Sequence, residues 1–593
     1  MAGSVASADQ EGGVRSRLRI EGLVDIEEVG VRPEPRRRLD APGIALIVIV
    51  AIGLIVRVTG WSNGGLFYDD AWFALPARVD LSTATHMIVT APGFTLLERG
   101  WIQLFPTSAR WALALPLLLG VIAPIALFGL GRLLGFRRWI CAAIAAGVAA
   151  APAAIEYSTR VKEYEADLLL AAGLLALVEV ARRQRSRESL AFLAAGSVLA
   201  VATSTSLAPV AAACWMALGI TALLDRRRRG EVLCWGTATA AVIVPIVGVV
   251  ASRLPPALGD FWVASQRLLG APWNPSRVVH TLALTAGGLA HGFIGTPMPA
   301  TFPRVIAISS SEEMALVALG VVEGLVLVAV SIPIVTALWR RRMDARWLVA
   351  LPSLLTVVTS VVLFAAGRVP LGTGRTDLVL LPGVLVLAAV TIERLADRVA
   401  SWREGRAHSS TRLGLAAAIV LGACVTGLAW HQRSWYPTQA VGALKVSMDR
   451  LEQPGDVLVI TDRNAFPWAF GGLSRWSLHL SATSPRSSTI GYWVSFDSPR
   501  VLSQEPHGPA AVQTIADLTS VASSRRLWLV GTTDVTYSPS AFHLRGAAGG
   551  RPTDTGATAE LKAAGWRPVG TTVRADGVFA QLFERARPAG ESQ

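Results

Sequence analysis

The stretch Gly64-Gly65-Leu66-Phe67-Tyr68-Asp69-Asp70-Ala71-Trp72-Phe73-Ala74 follows directly on an apolar run, 43–60. That run is long enough to cross a bilayer, since a spanning helix needs about 17–25 apolar residues. Two adjacent carboxylates this close to hydrocarbon are costly to hold, and such pairs usually abstract protons or bind cations. The plainer reading is a solvated loop pair, or an N-cap for a helix starting at Ala71.

Working outward, the chain of 593 residues is 52% hydrophobic and only 16% charged, with a mean hydropathy of +0.46. This composition excludes an ordinary soluble protein and indicates a polytopic α-helical membrane protein. Apolar segments at 43–60, 111–131, 139–155, 166–181, 189–203, 208–224, 232–251, 313–338, 347–366, 377–395 and 413–431 predict about eleven transmembrane helices. The net charge of +13 would suit nucleic acid, but the arginines cluster in short loops between apolar runs, so no nucleic-acid partner is expected. Cys141, Cys214, Cys234 and Cys424 lie inside apolar runs with no C-x-x-C spacing, which argues against a disulfide framework or a zinc site.

Charge fixes the expected orientation through the positive-inside rule. Arginines precede the first span (Arg36, Arg37, Arg38) and recur in every second loop: Arg132, Arg137 and Arg138; Arg182, Arg183, Arg185 and Arg187; Arg226 to Arg229; Arg340 to Arg342; Arg398, Arg403 and Arg406. The N-terminus is therefore expected in the cytoplasm of a cell (plasma) membrane protein, with the C-terminus outside. Three regions follow: 1–40 as a disordered cytoplasmic tail, 41–431 as the transmembrane domain, and 432–593 as an extracytoplasmic soluble domain. Val457-Leu458-Val459-Ile460, Leu527-Trp528-Leu529-Val530 and Phe579-Ala580-Gln581-Leu582-Phe583 read as strands, so that last domain is expected to be α/β or α+β.

The face carrying the acid pair holds other charged segments. One is Glu156-Tyr157-Ser158-Thr159-Arg160-Val161-Lys162-Glu163-Tyr164-Glu165-Ala166-Asp167; another is Gly374-Arg375-Thr376-Asp377-Leu378 with Pro382. Together with Tyr68-Asp69-Asp70-Ala71 and the Pro92-Gly93-Phe94 stretch, in this order and on one face, they resemble the motifs of GT-C glycosyltransferases. Within that superfamily they are similar to the protein O-mannosyltransferase and aminoarabinose transferase branch, although Pro92-Gly93-Phe94 departs from that branch's double proline. The resemblance covers 43–431 loosely and the C-terminal domain not at all.

It implies transfer of a sugar from a polyprenyl-phosphate donor to a glycan, lipid or protein acceptor of the cell envelope, by a single inverting displacement. In that scheme Asp69 is the general base and Asp70 orients the acceptor or helps bind a divalent cation, Mg or Mn. Arg160, Lys162 and Arg375 meet the donor phosphate, and Tyr164 lines the donor site. The chemistry is coherent without the family. A carboxylate takes the acceptor proton, and cations at the membrane edge stabilise the leaving lipid phosphate.

Local readings stand beside these. Glu156 and Arg160 suit a helix-surface ion pair. Arg160 and Lys162 suit interfacial anchors. Asp167 suits burial beside a cation, and Glu98 a surface position. The rival functions are a transporter or flippase for an envelope lipid or glycan precursor, and an inactive GT-C-like assembly factor. No central acids and no internal repeat point to the transporter.

Overall fold

A computed structural model describes residues 40–58, 65–66, 68–87, 91–106, 108–224, 228–254, 275–294, 310–339, 345–366, 368–372, 376–402, 441–461, 465–472, 478–482, 492–503, 524–532, 535–537, 544–546, 555–575 and 578–585. Met1–Ala41 separates from a second unit, Pro42–Gln593, that contains all the elements below apart from one residue of the first helix. The expected tail, 1–40, and the span read at 413–431 lie outside the described residues, Asp40 apart.

The apolar run 43–60 becomes α1 (Ala41–Val58). The region after it, read as a loop, is largely helical: α2 (Tyr68–Arg78), α3 (Leu81–Met87), α4 (Pro92–Leu104) and α5 (Ala109–Ala112). The bundle continues with α6 (Ala114–Leu133), α7 (Arg138–Ala150), α8 (Pro152–Tyr157), α9 (Tyr164–Gln184), α10 (Arg187–Thr203), α11 (Ala208–Leu224) and α12 (Arg229–Arg253). It ends with α13 (Pro275–Ile294), α14 (Ser310–Trp339), α15 (Ala345–Ala365) and α16 (Leu381–Trp402).

Among the described residues seven helices are long and apolar enough to cross a membrane: Ala41–Val58, Ala109–Leu133, Thr205–Leu223, Arg229–Arg253, Leu316–Trp339, Trp347–Ala365 and Thr376–Asp397. The chain is thus a multi-pass helical membrane protein, although the sequence suggests about eleven spans. The difference has identifiable sources. The run 139–155 breaks into α7, of 13 residues, and the short α8, because Pro152 starts a new helix. Helix α10 opens on Arg187 and Glu188, and α9 carries charges at both ends, so neither is an uninterrupted apolar span.

Helix α13 lies between the apolar segments 232–251 and 313–338 and packs closely on α14. The closeness rests on glycine: a Cβ at Gly320 would stand 1.7 Å from the Ala283 carbonyl oxygen, and one at Gly287 1.9 Å from that of Leu316. Small residues let helix backbones approach where hydrocarbon supplies no other driving force.

The C-terminal region adds α17 (Val441–Met448), α18 (Ala465–Gly472) and α19 (Thr555–Ala563) to ten strands. These are β1 (Val457–Ile460), β2 (Leu478–Ala482), β3 (Tyr492–Phe496), β4 (Val501–Ser503), β5 (Arg526–Thr532), β6 (Val535–Tyr537), β7 (Leu544–Gly546), β8 (Trp566–Pro568), β9 (Val573–Ala575) and β10 (Val578–Arg585). The main sheet runs β4-β1-β5-β10-β8, with β9 also on β10; β2–β3 and β6–β7 pair separately. Strand β1 is parallel to β4 and β5, and β10 is antiparallel to β5.

Every residue of β1 is buried, because both sheet faces are covered, and its sequence is accordingly a continuous apolar run. One face packs Val459, Leu527 and Leu529 against Leu561 of α19 and Trp566. The other joins Leu458, Ile460, Trp528 and Val530 to Phe466 and Phe470 of α18 and to Ala71, Ala74 and Leu75 of α2. A single apolar cluster therefore runs from the sheet to the helix that bears the acid pair.

The glycine contact between α13 and α14 yields a test. Gly320→Ala forces backbone apart and should cost about 1–3 kcal/mol, as overpacked cores do. Gly324→Ala, one turn on and facing open space, should be neutral or slightly stabilising. Thermal unfolding of both variants in detergent checks the contrast.

Candidate active site

Asp69 and Asp70 sit in the first turn of α2, which starts at Tyr68 and not at Ala71. Helix N–H groups without intrahelical partners lie there and favour negative charge. Opposite them, α8 ends at Tyr157, and residues 158–163 form a tight turn before α9. In it Arg160 N–H donates to the Tyr157 carbonyl at 3.3 Å and Lys162 N–H to that of Arg160 at 2.9 Å. This turn directs Arg160 and Lys162 at α2.

The Arg160 Nε donates to both carboxylate oxygens of Asp70, each at 2.8 Å, and a terminal nitrogen lies 3.6 Å from Asp69. Lys162 Nζ lies 3.0 Å from an Asp69 carboxylate oxygen and donates to the Asp69 carbonyl at 3.1 Å. It also sits 3.4 Å from the centroid of Phe73, a cation–π contact one helical turn along from Asp69. Arg160 reaches a residue 90 positions away while also feeling the charge of Glu156, and the Lys162 side chain is wholly buried, so it does not snorkel.

The two acids are not equivalent. The Asp69 side chain keeps 17% of its surface exposed and that of Asp70 only 4%, so Asp69 is the more accessible acid. Burial raises the Asp70 carboxyl above its ordinary value, while Arg160 and Lys162 pull it down. Burial works against the Arg160 charge as well, but the carboxylates of Asp70 and Asp69 more than offset it and hold the guanidinium above its usual range.

Tyr164 is buried at the start of α9, its ring edge-on to Tyr157 with centroids 4.8 Å apart. Arg375 lies outside the described residues; Asp377 beside it is buried in a short 3-10 turn, Thr376–Leu380, packed on α9. Asp167 is buried, as read, but it accepts a hydrogen bond from the Ser204 hydroxyl at 3.1 Å and not from a cation. Close by, Gly120 leaves room where Arg57 of α1, Ser158 and Glu165 of α9 converge, with neither Glu165 carboxylate oxygen hydrogen-bonded among the described residues. Arg57 also donates to the Ala149 carbonyl at 3.0 Å.

Among the described residues no group of three or more His, Cys, Asp or Glu could hold a metal ion. Asp69 and Asp70 already face two side-chain cations, so this donor set does not fit a divalent ion.

Glu98 departs most from the sequence reading. It is fully buried on α4, and neither carboxylate oxygen has a hydrogen-bond partner. The spacing Phe94, Glu98, Ile102 carried the signal, since positions four apart share a helix face and both neighbours are core residues. Burial pushes the Glu98 carboxyl up to about 8.

No protein-family model and no curated protein sequence matches the chain. Solved structures do resemble it. ArnT from Cupriavidus metallidurans in the apo state aligns with 92% of this chain and 98% of its own, at 13% identity and a TM-score of 0.47. The same protein bound to undecaprenyl phosphate aligns over the same shares, at 13% identity and 0.46. An Archaeoglobus fulgidus oligosaccharyltransferase, in complex with Zn and sulfate, covers 82% of this chain and 67% of its own, at 12% identity and 0.42.

Glu98 gives a pH test. Its carboxyl moves from an ordinary 4.5 to about 8 in the folded chain. Between those values the folded state keeps a proton that the unfolded state has lost, so stability falls as pH rises through that window. Thermal unfolding of Glu98→Gln should therefore depend less on pH between 5 and 8, with the variant's advantage largest at pH 8. Parallel curves for the two proteins would show that Glu98 is not a buried acid.

Proposed function

We propose that this chain is a membrane glycosyltransferase of the GT-C kind. It moves a sugar from a polyprenyl-phosphate donor to a cell-envelope acceptor on the extracytoplasmic face, with the N-terminus in the cytoplasm. The observation that carries the reading is the partly exposed Asp69, set against Lys162 and Arg160 where apolar helices end. A donor anchored in the bilayer brings its phosphate to that depth.

In the proposed step Asp69 accepts the proton of an acceptor hydroxyl as the oxygen attacks the anomeric carbon. The bond from that carbon to the phosphate oxygen breaks on the opposite side, which inverts the centre, and its electron pair leaves with the lipid phosphate. Negative charge thus disappears from Asp69 while it grows on the phosphate. Lys162 and Arg160, which balance Asp69 in the resting site, are then released to the leaving group, so cationic compensation is kept throughout. Asp70, with both oxygens on Arg160 Nε, acts by holding that guanidinium in place. Arg375 and Tyr164 are assigned to the donor side of the site.

The test is sugar transfer in membranes, using a panel of labelled polyprenyl-phosphate sugars. Asp69→Asn keeps the shape and removes the base, and should lower transfer about a hundred- to ten-thousandfold with the protein still inserted. Undiminished transfer by Asp69→Asn would remove this residue from the mechanism. Failure of the wild type with every donor would favour the inactive scaffold or the transporter.

A further inference from the structure

Helix α2 cannot hold its own shape. It has 11 residues and contains Pro76, whereas isolated helices below about 12–15 residues are marginal in water. Proline also removes the N–H that would bond to the Trp72 carbonyl. The conformation of the acid helix therefore depends on what grips its ends.

Its first turn is held by Arg160 and Lys162 from the turn before α9. Its last turn is held by the C-terminal domain. Arg78 donates to the Phe470 carbonyl of α18, and its guanidinium lies 5.1 Å from the centroid of the Phe470 ring. Between these points Ala71, Ala74, Leu75 and Ala77 form one apolar cluster with Ala465, Phe466, Ala469 and Phe470. Alanine on both sides lets the two short helices lie close together. The cluster continues into β1 and β5, so α18 is braced by the sheet. The sheet-braced α18 and the last turn of α2 meet at Arg78.

We infer that Arg78 is a positioning residue, through which the C-terminal domain sets the orientation of α2 and hence of Asp69. The interface is then part of the catalytic unit and not merely a tether. As regards turnover the inference rests on the transfer reading; as regards the order of α2 it does not.

The experiment uses the full chain in lipid nanodiscs and reads two quantities. Hydrogen–deuterium exchange is followed in residues 68–78, with the sheet peptide 526–532 as internal reference. In Arg78→Ala, exchange in 68–78 should rise about tenfold, the scale of losing one charged hydrogen bond, while 526–532 is unchanged. Steady-state transfer should show kcat falling with the donor KM held within about twofold. Arg78→Lys, which can still donate to the Phe470 carbonyl and lie on its ring, should restore both. Unchanged exchange, a loss confined to KM, or no rescue by lysine would each overturn the inference. If Arg78→Ala also unprotects 526–532, Phe470→Leu becomes the deciding variant, since it keeps the carbonyl and removes the ring. A selective rise in 68–78 then supports the inference, and its absence overturns it. If the wild type uses no donor in the panel, the transfer reading fails while the exchange measurement still decides the positioning role.

Discussion

The contact between Asp70 and Arg160 is the constraint on which the site depends. Neither group tolerates burial alone, because an unpaired charge in a low-dielectric interior costs several kcal/mol. Placed together, with Nε reaching both oxygens, they lock the turn before α9 onto the first turn of a helix 90 residues away. The lock decides which acid is left for chemistry. With Asp70 turned inward, Asp69 stands at the edge of the buried region, against Lys162 and Arg160 and only partly exposed. Lys162 is in turn trapped between Asp69 and the Phe73 ring.

Exposed ion pairs and buried acids both occur in the bundle, and Glu179, at the arginine-rich end, is a buried acid paired with Arg182 and Arg183. At the arginine-rich end, Arg137 meets Asp397 at 2.5 Å and Arg187 meets Glu231 at 3.0 Å, with side chains that are largely exposed. Such pairs contribute little to stability, and their arginines suit the setting of topology. At the other end Glu98, Glu165, Asp167 and Asp377 are all buried. Buried polar networks are high-stakes, since each missing partner costs a full desolvation penalty.

Much of this was legible in the sequence. The acid pair stands out because it follows so closely on the first apolar run, and β1, β5 and β10 because their alternating or continuous apolar character admits little else. What connects these parts was not legible. That Arg160 reaches Asp70, 90 residues away, is a tertiary fact, invisible to local spacing. The start of α2 at Tyr68 depends on packing, since nothing in Tyr68-Asp69-Asp70 alone favours a helix over a cap. Helix α13 was missed because its apolar core is too short for a span and its glycines, read alone, suggest a loop. Glu98 was misjudged by residue type although its spacing with Phe94 and Ile102 put it in the core.

The most direct test of this arrangement is a double-mutant cycle on Asp70 and Arg160, read by thermal unfolding and by sugar transfer. The account predicts that Asp70→Leu or Arg160→Met alone costs about 3–5 kcal/mol, because each strands a buried charge, and that the double variant regains most of the stability. It also predicts that transfer stays low in the double variant, since the guanidinium that steadies Asp69 is gone. Losses that simply add, or a double variant that transfers sugar like the wild type, would contradict it.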